Sequence, residues 1–134
     1  MIPHPSIAAK EEEIFRSVVE HMLDAALIMD WDGTILFANN TALRLMEMTS
    51  SQQMIGQNAA QFVQSESLPR VVSDLEAVRS GRNGFLSQYL LKTAQGNDLW
   101  VEGLGTMITV GSRVLDLVIL RDINIRRRLE AELR

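Results

Sequence analysis

The sequence predicts an α+β domain, a five-stranded antiparallel sheet with short helices covering one face and an amphipathic helix at each end. Three observations predict this class. Two short apolar runs meet at an Asp-Gly turn early in the chain, helical segments follow, and long β-rich runs separated by glycine turns come last. Strands joined by short turns pair antiparallel, so the last runs should form a meander.

The composition describes a single globular domain spanning residues 1–134, with 46% hydrophobic and 22% charged residues. Cysteine is absent, which excludes disulfides, thiolate metal sites and cysteine nucleophiles. The net charge of −4 and the scattered basic residues predict no nucleic-acid partner. No apolar run is long enough to cross a bilayer, so we expect no direct membrane insertion and a cytoplasmic location.

The first element predicted is an amphipathic helix over residues 10–24. Its apolar stripe needs a cover, and a domain this small has a core for only one of its two end helices. We therefore expect a homodimer formed through this helix, with a second contact through the C-terminal one. The expected interface residues share this stripe: Ile14, Phe15, Val18, Val19 and Met22.

The next segment predicts a β-hairpin followed by short helices. The runs Ala26–Met29 and Thr34–Ala38 flank the Asp32-Gly33 turn. Asn39 is the expected N-cap of a short helix after the second strand. Further on, Ser50 and Gln53 have the spacing of a capping box.

The second half of the chain predicts one longer helix, three strands and a final helix. The helix is expected over Glu66–Ser80, and the strands over Phe85–Thr93, Leu99–Thr109 and Arg113–Ile123. The core thus spans residues 25–123, with a linker helix over residues 124–134 that ends without a stop signal, so we expect the natural chain to continue into another domain. Gly103 and Gly105 inside the middle strand indicate a bulge, curvature or close approach by another group.

Taken in order, these residues resemble a PAS domain over about residues 12–134. The resemblance rests on Asp32-Gly33 followed by Ile35–Asn39, on Met54-Ile55-Gly56, on Trp100-Val101-Glu102 and on Arg121–Asn124 before a charged helix. Two departures are Glu47-Met48, where a Gly-aromatic pair is frequent, and Asn124, where Thr is usual.

The resemblance implies a sensory module of a larger signalling protein, not itself an enzyme, that binds a ligand or partner and acts on a C-terminal output domain. A histidine kinase is the expected output, with a diguanylate cyclase or a chemotaxis-type regulator as alternatives. The relay is expected at the end of the last strand, where Asp122 and Asn124 would fix the junction, one by pairing and the other by capping. A dimerisation module without any ligand is the main alternative.

A ligand pocket on the inner sheet face is the second expectation from the resemblance. The alternative is that the same apolar side chains simply fill a core. The candidate lining residues are Met29, Phe37, Leu43, Met46, Phe62, Leu75, Leu90, Met107 and Ile119.

The cofactor is left open by the sequence. Haem is disfavoured because the helix around residues 66–80 has no histidine, where haem-binding PAS domains carry one, and cysteinyl-flavin is disfavoured because Ala59 stands where the light-sensing subgroup has its thiol. A non-covalent flavin or a small metabolite stays compatible with the sequence. No metal site is expected.

An enzymatic alternative comes from Asp30 and Asp32, because an apolar strand followed by Asp-x-Asp-Gly-Thr resembles the nucleophile motif of haloacid-dehalogenase-type phosphatases. That resemblance implies Asp30 as nucleophile, Asp32 as acid–base and a magnesium ion. The family needs a parallel sheet and a downstream acidic cluster, which this sequence does not predict. A hairpin turn is therefore the favoured interpretation.

Overall fold

The computed structural model describes residues 23–82 and 86–133 of the chain. Residues 10–22 of the expected N-terminal helix lie outside these ranges, together with the five expected interface residues between Ile14 and Met22. Leu23 and Asp24 form a bend instead of the end of a helix.

The sheet has five strands in the order β2-β1-β5-β4-β3, and every neighbouring pair is antiparallel. This confirms the α+β prediction. The strands are β1 (Ala25–Met29), β2 (Ile35–Ala38), β3 (Leu86–Lys92), β4 (Asp98–Val110) and β5 (Arg113–Asp122).

Short helical segments lie between β2 and β3 and cover one sheet face. They are α1 (Asn40–Leu45), two 3-10 turns (Ser51–Gln53 and Ala59–Phe62) and α2 (Leu68–Arg79). The expected capping box of Ser50 and Gln53 is present on the first of these turns. The final helix, α3, is Asn124–Glu132.

The hydrophobic core lies between the helices and the sheet face that they cover, which we call the inner face. Side chains alternate between the two faces along each strand. One set of paired residues on the inner face therefore shows which other residues of these strands share that face. Leu27 of β1 pairs with Val118 of β5, which pairs with Gly105 of β4. Ile35 and Val101 are almost fully buried in this core.

The final helix has one apolar stripe that is uncovered within the part of the chain that the structure describes. Ile125, Leu129 and Leu133 follow one another at four-residue spacing, and 69%, 53% and 87% of their surfaces are exposed. Neither α3 nor any other described helix combines the length and the hydropathy needed to span a membrane.

Candidate functional site

A cavity of about 100 Å³ lies between the inner sheet face and the helices. All the sheet strands contribute to its wall, and α1, the second 3-10 turn and α2 close it. Almost all of the lining is apolar. The lining side chains from the helical segments are Ala42, Leu45, Met46, Met54, Ala59, Phe62, Val63, Val71, Leu75 and Val78, with Asp74 among them.

Two glycines of β4 make room at the sheet wall of this cavity. A Cβ atom at Gly103 would lie 2.8 Å from Cε2 of Tyr89, and one at Gly105 would lie 3.0 Å from Cγ2 of Val78. Real Cβ atoms essentially never lie as close as 2.8 Å and seldom as close as 3.0 Å, so the ring of Tyr89 and helix α2 occupy space that a side chain would need. Close approach by other groups is therefore the reason for glycine at these positions.

Asp116 of β5 is the buried carboxyl group of the cavity wall. The residue is 2% exposed, and its Oδ1 atom has no hydrogen-bond partner. Burial raises the pKa of the Asp116 carboxyl to about 6, against an opposing contribution from the backbone N–H of Thr106. The Oδ1 atom would lie 3.2 Å from a Cβ at Gly105, so the bare glycine backbone faces this oxygen.

A second polar pair lies where α2 meets β3. The hydroxyl group of Tyr89 donates a hydrogen bond of 2.5 Å to Oδ2 of Asp74. Burial and the neighbouring carboxylate raise the pKa of Tyr89, so the phenol is neutral and remains a donor. Asp74 is thereby occupied by a partner from the protein, whereas Oδ1 of Asp116 is not.

Four of the nine expected pocket residues line the cavity: Met29, Met46, Phe62 and Leu75. The other five do not. Leu43 packs against the core but lies about 100° around the helix from Ala42, which points into the cavity. Met107 shares the register row of Asp116 but lies beyond the cavity along β4.

Phe37, Leu90 and Ile119 lie on the opposite face of the sheet from the cavity. Phe37 pairs with Ile28, Leu90 with Trp100, and Ile119 with Ala26. The strand neighbours of Leu90 and Ile119 line the cavity instead: Tyr89, Leu91, Val118 and Leu120. The alternation of strand side chains explains this, because a shift of one residue moves a whole row to the other face.

Asn39 caps α1 and also joins it to β1. Its Oδ1 atom accepts hydrogen bonds of 2.9 Å from the backbone N–H groups of Ala42 and Ala26. Its Nδ2 group donates to the carbonyl oxygen of Asp24 at 3.1 Å. The side chain is fully buried, so these contacts fix the first cavity helix on the sheet.

At the start of α3 the expected capping by Asn124 is wrong, and the two junction residues have different roles. The helix begins at Asn124 itself, and Ile123 is its N-cap residue without a side-chain cap. Oδ1 of Asp122 accepts a hydrogen bond of 2.8 Å from the N–H of Asn124. The Asn124 side chain instead bonds β4: it accepts from the N–H of Trp100 at 2.7 Å and donates to the carbonyl of Asp98 at 3.2 Å.

Two arginines of α3 also contact β4. The guanidinium carbon of Arg127 lies 3.7 Å from the ring centroid of Trp100, a cation–π geometry. Arg126 forms a 3.0 Å ion pair with Glu102, two residues farther along the strand. Two of the three arginines at residues 126–128 thus have partners within the domain, and they hold α3 against β4.

Asp30 and Asp32 belong to the β1–β2 turn. Asp30 forms a 3.1 Å ion pair with Arg113, and Oδ1 of Asp32 accepts a 3.0 Å hydrogen bond from the N–H of Thr34. The hydrogen bonds from Thr34 lower the pKa of Asp32. The sheet around this turn is antiparallel, which does not match the parallel sheet of the phosphatase family.

The family model described as PAS domain matches residues 23–124, which is most of the chain and contains the whole sheet. The chain belongs to the PAS domain family. A search of curated proteins found no match.

Similar solved structures confirm the PAS fold. A PAS domain from a two-component sensor histidine kinase has a TM-score of 0.72 and 17% identity, with 86% of this chain and 98% of the other covered. A PAS domain from Colwellia psychrerythraea has a TM-score of 0.75 and 20% identity, with 87% and 99% covered. A domain of a sensory box sensor histidine kinase/response regulator from Geobacter sulfurreducens has a TM-score of 0.71 and 20% identity, with 86% and 96% covered.

PAS domains are sensory modules. The described part of this one holds a small apolar cavity with one unsatisfied acidic oxygen, and a C-terminal helix that is attached to β4.

Proposed function

We propose that this PAS domain is the cytoplasmic sensory module of a larger signalling protein, in which a small ligand in the core cavity changes the position of α3 relative to the sheet. The domain itself carries out no catalysis, and its output is a C-terminal domain of the histidine kinase class. Two of the similar solved domains come from sensor histidine kinases, which supports this choice of output.

The observation that carries the proposal is the position of β4, which contacts both the cavity and α3. Gly103 and Gly105 form part of the cavity wall. Trp100 and Glu102, on the same strand, bind Asn124, Arg126 and Arg127 of α3. A ligand that changes the packing at the glycines acts on the strand that holds the helix.

The size of the cavity limits the ligand. About 100 Å³ is somewhat smaller than the roughly 150 Å³ of an engineered protein cavity that binds benzene. A small metabolite therefore fits this cavity better than a non-covalent flavin, whose ring system is far larger.

The exposed stripe of α3 supports a homodimer. An apolar stripe at four-residue spacing is typical of a helix that packs against another helix. A second copy of the chain would cover Ile125, Leu129 and Leu133, and the relay would then act on the pair of helices. Sedimentation equilibrium of the chain should show a concentration-dependent dimer that Leu129→Glu weakens and that Ala131→Glu, which adds the same charge about 160° around the helix from Leu129, leaves unchanged.

The relay is tested by NMR with benzene as a neutral probe for the cavity. The expected result is that benzene shifts the amide signals of Gly103 and Gly105 and also those of Trp100, Asn124 and Arg127. In Asn124→Ala the shifts should remain at the glycines and shrink at Arg127, because the link from helix to strand is broken.

Two results would contradict the sensor function. Shifts confined to the glycines in the unmodified chain mean that α3 does not respond to the cavity. A complete lack of shifts means that the cavity takes no ligand, and the dimerisation module without a ligand is then the better account.

A further inference from the structure

The polar groups of the cavity wall differ in what they offer to a ligand. Asp74, Tyr89 and Asp116 are its titratable side chains, and no Lys, Arg or His lines it within the described ranges. Asp74 is bonded to Tyr89, while Arg70, which does not line the cavity, interacts with Tyr89 through its charge. The wall is therefore acidic, and the carboxyl group of Asp116 has one oxygen without a hydrogen-bond partner.

The unpartnered oxygen of Asp116 requires an explanation, because buried polar atoms in proteins are almost always hydrogen-bonded. The residue is 2% exposed, so bulk water does not solvate the carboxyl group. Oδ1 faces the bare backbone of Gly105, and Asp116 is one of the residues that line the cavity, so this oxygen lies beside the space that a ligand would fill. A donor supplied by a ligand would satisfy this oxygen.

We propose that the cavity accepts a small primary amine with a compact apolar group, and that the ammonium binds Asp116 while the apolar part packs against residues such as Leu75 and Met46. This inference rests on the proposed sensor function and gives the chemical class of its ligand.

Charge and size both favour this class. An ammonium group donates charge-assisted hydrogen bonds to a carboxylate, which are stronger than those of a neutral hydroxyl group. A carboxylate or phosphate ligand would instead meet two acidic side chains and no basic one on the described wall. The apolar remainder of the wall and the volume of about 100 Å³ require the rest of the ligand to be short and uncharged.

The test compares isobutylamine, isobutanol and isovalerate, which have similar branched apolar groups and different heads. Affinities for the full chain are measured by NMR titration at about pH 8, where Asp116 is ionised. The amine should bind at least about tenfold more tightly than the alcohol, a difference of about 1.4 kcal/mol. Isovalerate should bind most weakly.

Two variants assign the preference to one carboxyl group. Asp116→Asn keeps the shape and removes the charge, so the amine should lose its advantage while the alcohol binds as before. Glu76→Gln is the matched control, because it removes an exposed carboxyl of α2 that does not line the cavity, and the preference should remain. In the unmodified chain the preference should disappear as the pH falls below about 6, when Asp116 binds a proton.

The amine proposal is overturned by equal binding of amine and alcohol, or by a preference that persists in Asp116→Asn. Benzene separates this failure from that of the sensor function. If benzene shifts the signals of Gly103, Gly105 and Arg127 while the amine has no advantage, the sensor function stands and the ligand class is wrong. If none of the probes enters, both are wrong.

Discussion

Oδ1 of Asn124, the first residue of α3, accepts a 2.7 Å hydrogen bond from the backbone N–H of Trp100 in β4. The same side chain donates to the carbonyl oxygen of Asp98, so a single amide group satisfies both a donor and an acceptor of the strand. The start of the helix is thereby attached to the sheet at a defined place. The ring of Trp100 below Arg127 extends this contact by one turn of helix.

Replacing Asn124 with alanine should loosen α3 without unfolding the sheet. The variant leaves the N–H of Trp100 without its partner, and such a loss costs about 1–2 kcal/mol. Hydrogen exchange of the helix amides should become faster, whereas exchange of the β1 and β5 amides should not change. Glu132→Ala, at the far end of the same helix, is the control and should have no effect. Unchanged exchange in α3 would show that the arginine contacts alone hold the helix.

Asn39 and Asn40 are neighbours that should respond very differently to substitution. Asn39→Ala removes a buried side chain that bonds two backbone N–H groups, from Ala26 and Ala42, and should lower the free energy of unfolding by about 3 kcal/mol. Asn40→Ala changes an exposed residue and should alter it by less than about 0.5 kcal/mol. Urea unfolding of both variants measures the difference, and similar values would contradict a structural role for the cap.

The sequence predicts the order of the elements well because its turns carry strong local signals. Asp32-Gly33 marks the first hairpin, and Ser50 with Gln53 forms the expected capping box. Such signals depend on residues that are close along the chain, so tertiary packing does not alter them.

The inner sheet face was harder to predict because β5 is apolar on both faces. Val118 and Ile119 are equally good core residues by type, and only pairing with the other strands places Val118 in the cavity wall. Asp116 was missed as a site residue for a related reason. A single acidic residue inside the apolar run 114–120 is the signal that could have indicated it. The different roles of Asp122 and Asn124 depend on the distant backbone of β4, which local sequence does not report.

The substitution Gly105→Ala should be tolerated only when the neighbouring side chain of α2 is made smaller. The Cβ of Gly105→Ala would lie 3.0 Å from Cγ2 of Val78, so the single variant should lose about 1–3 kcal/mol of stability. In the double variant with Val78→Ala, the new methyl group occupies the space that valine leaves. The two changes should therefore cost at least about 1 kcal/mol less together than the sum of their separate costs. Strict additivity in thermal unfolding would mean that the helix and strand do not compete for this space.

The buried carboxyl group of Asp116 should make the domain less stable as the pH rises from about 4 to 6. Its pKa is raised from 3.8 to about 6 in the folded state, so the folded chain holds the proton more tightly than the unfolded chain. Below the pKa of the unfolded state, Asp116 is protonated in both states and the cost of ionisation is absent. Above the pKa of the folded state, the cost is complete and amounts to about 3 kcal/mol at most. Asp116→Asn removes this cost and should be more stable than the unmodified chain at about pH 8, with a difference that shrinks toward about pH 4.

Asp32 supplies a control of opposite sign for this measurement. Hydrogen bonds from Thr34 lower the pKa of Asp32, so its contribution to stability is present above the unfolded value and is lost as the pH falls. Asp32→Asn should therefore be less stable than the unmodified chain at neutral pH, with the difference shrinking in acid. Urea unfolding of the three proteins from about pH 8 to about pH 2 compares the two trends, because the contribution of Asp32 is lost only below its unfolded pKa. If Asp116→Asn follows the same direction as Asp32→Asn, the Asp116 carboxylate is stabilised in the fold, and its Oδ1 atom then has a partner.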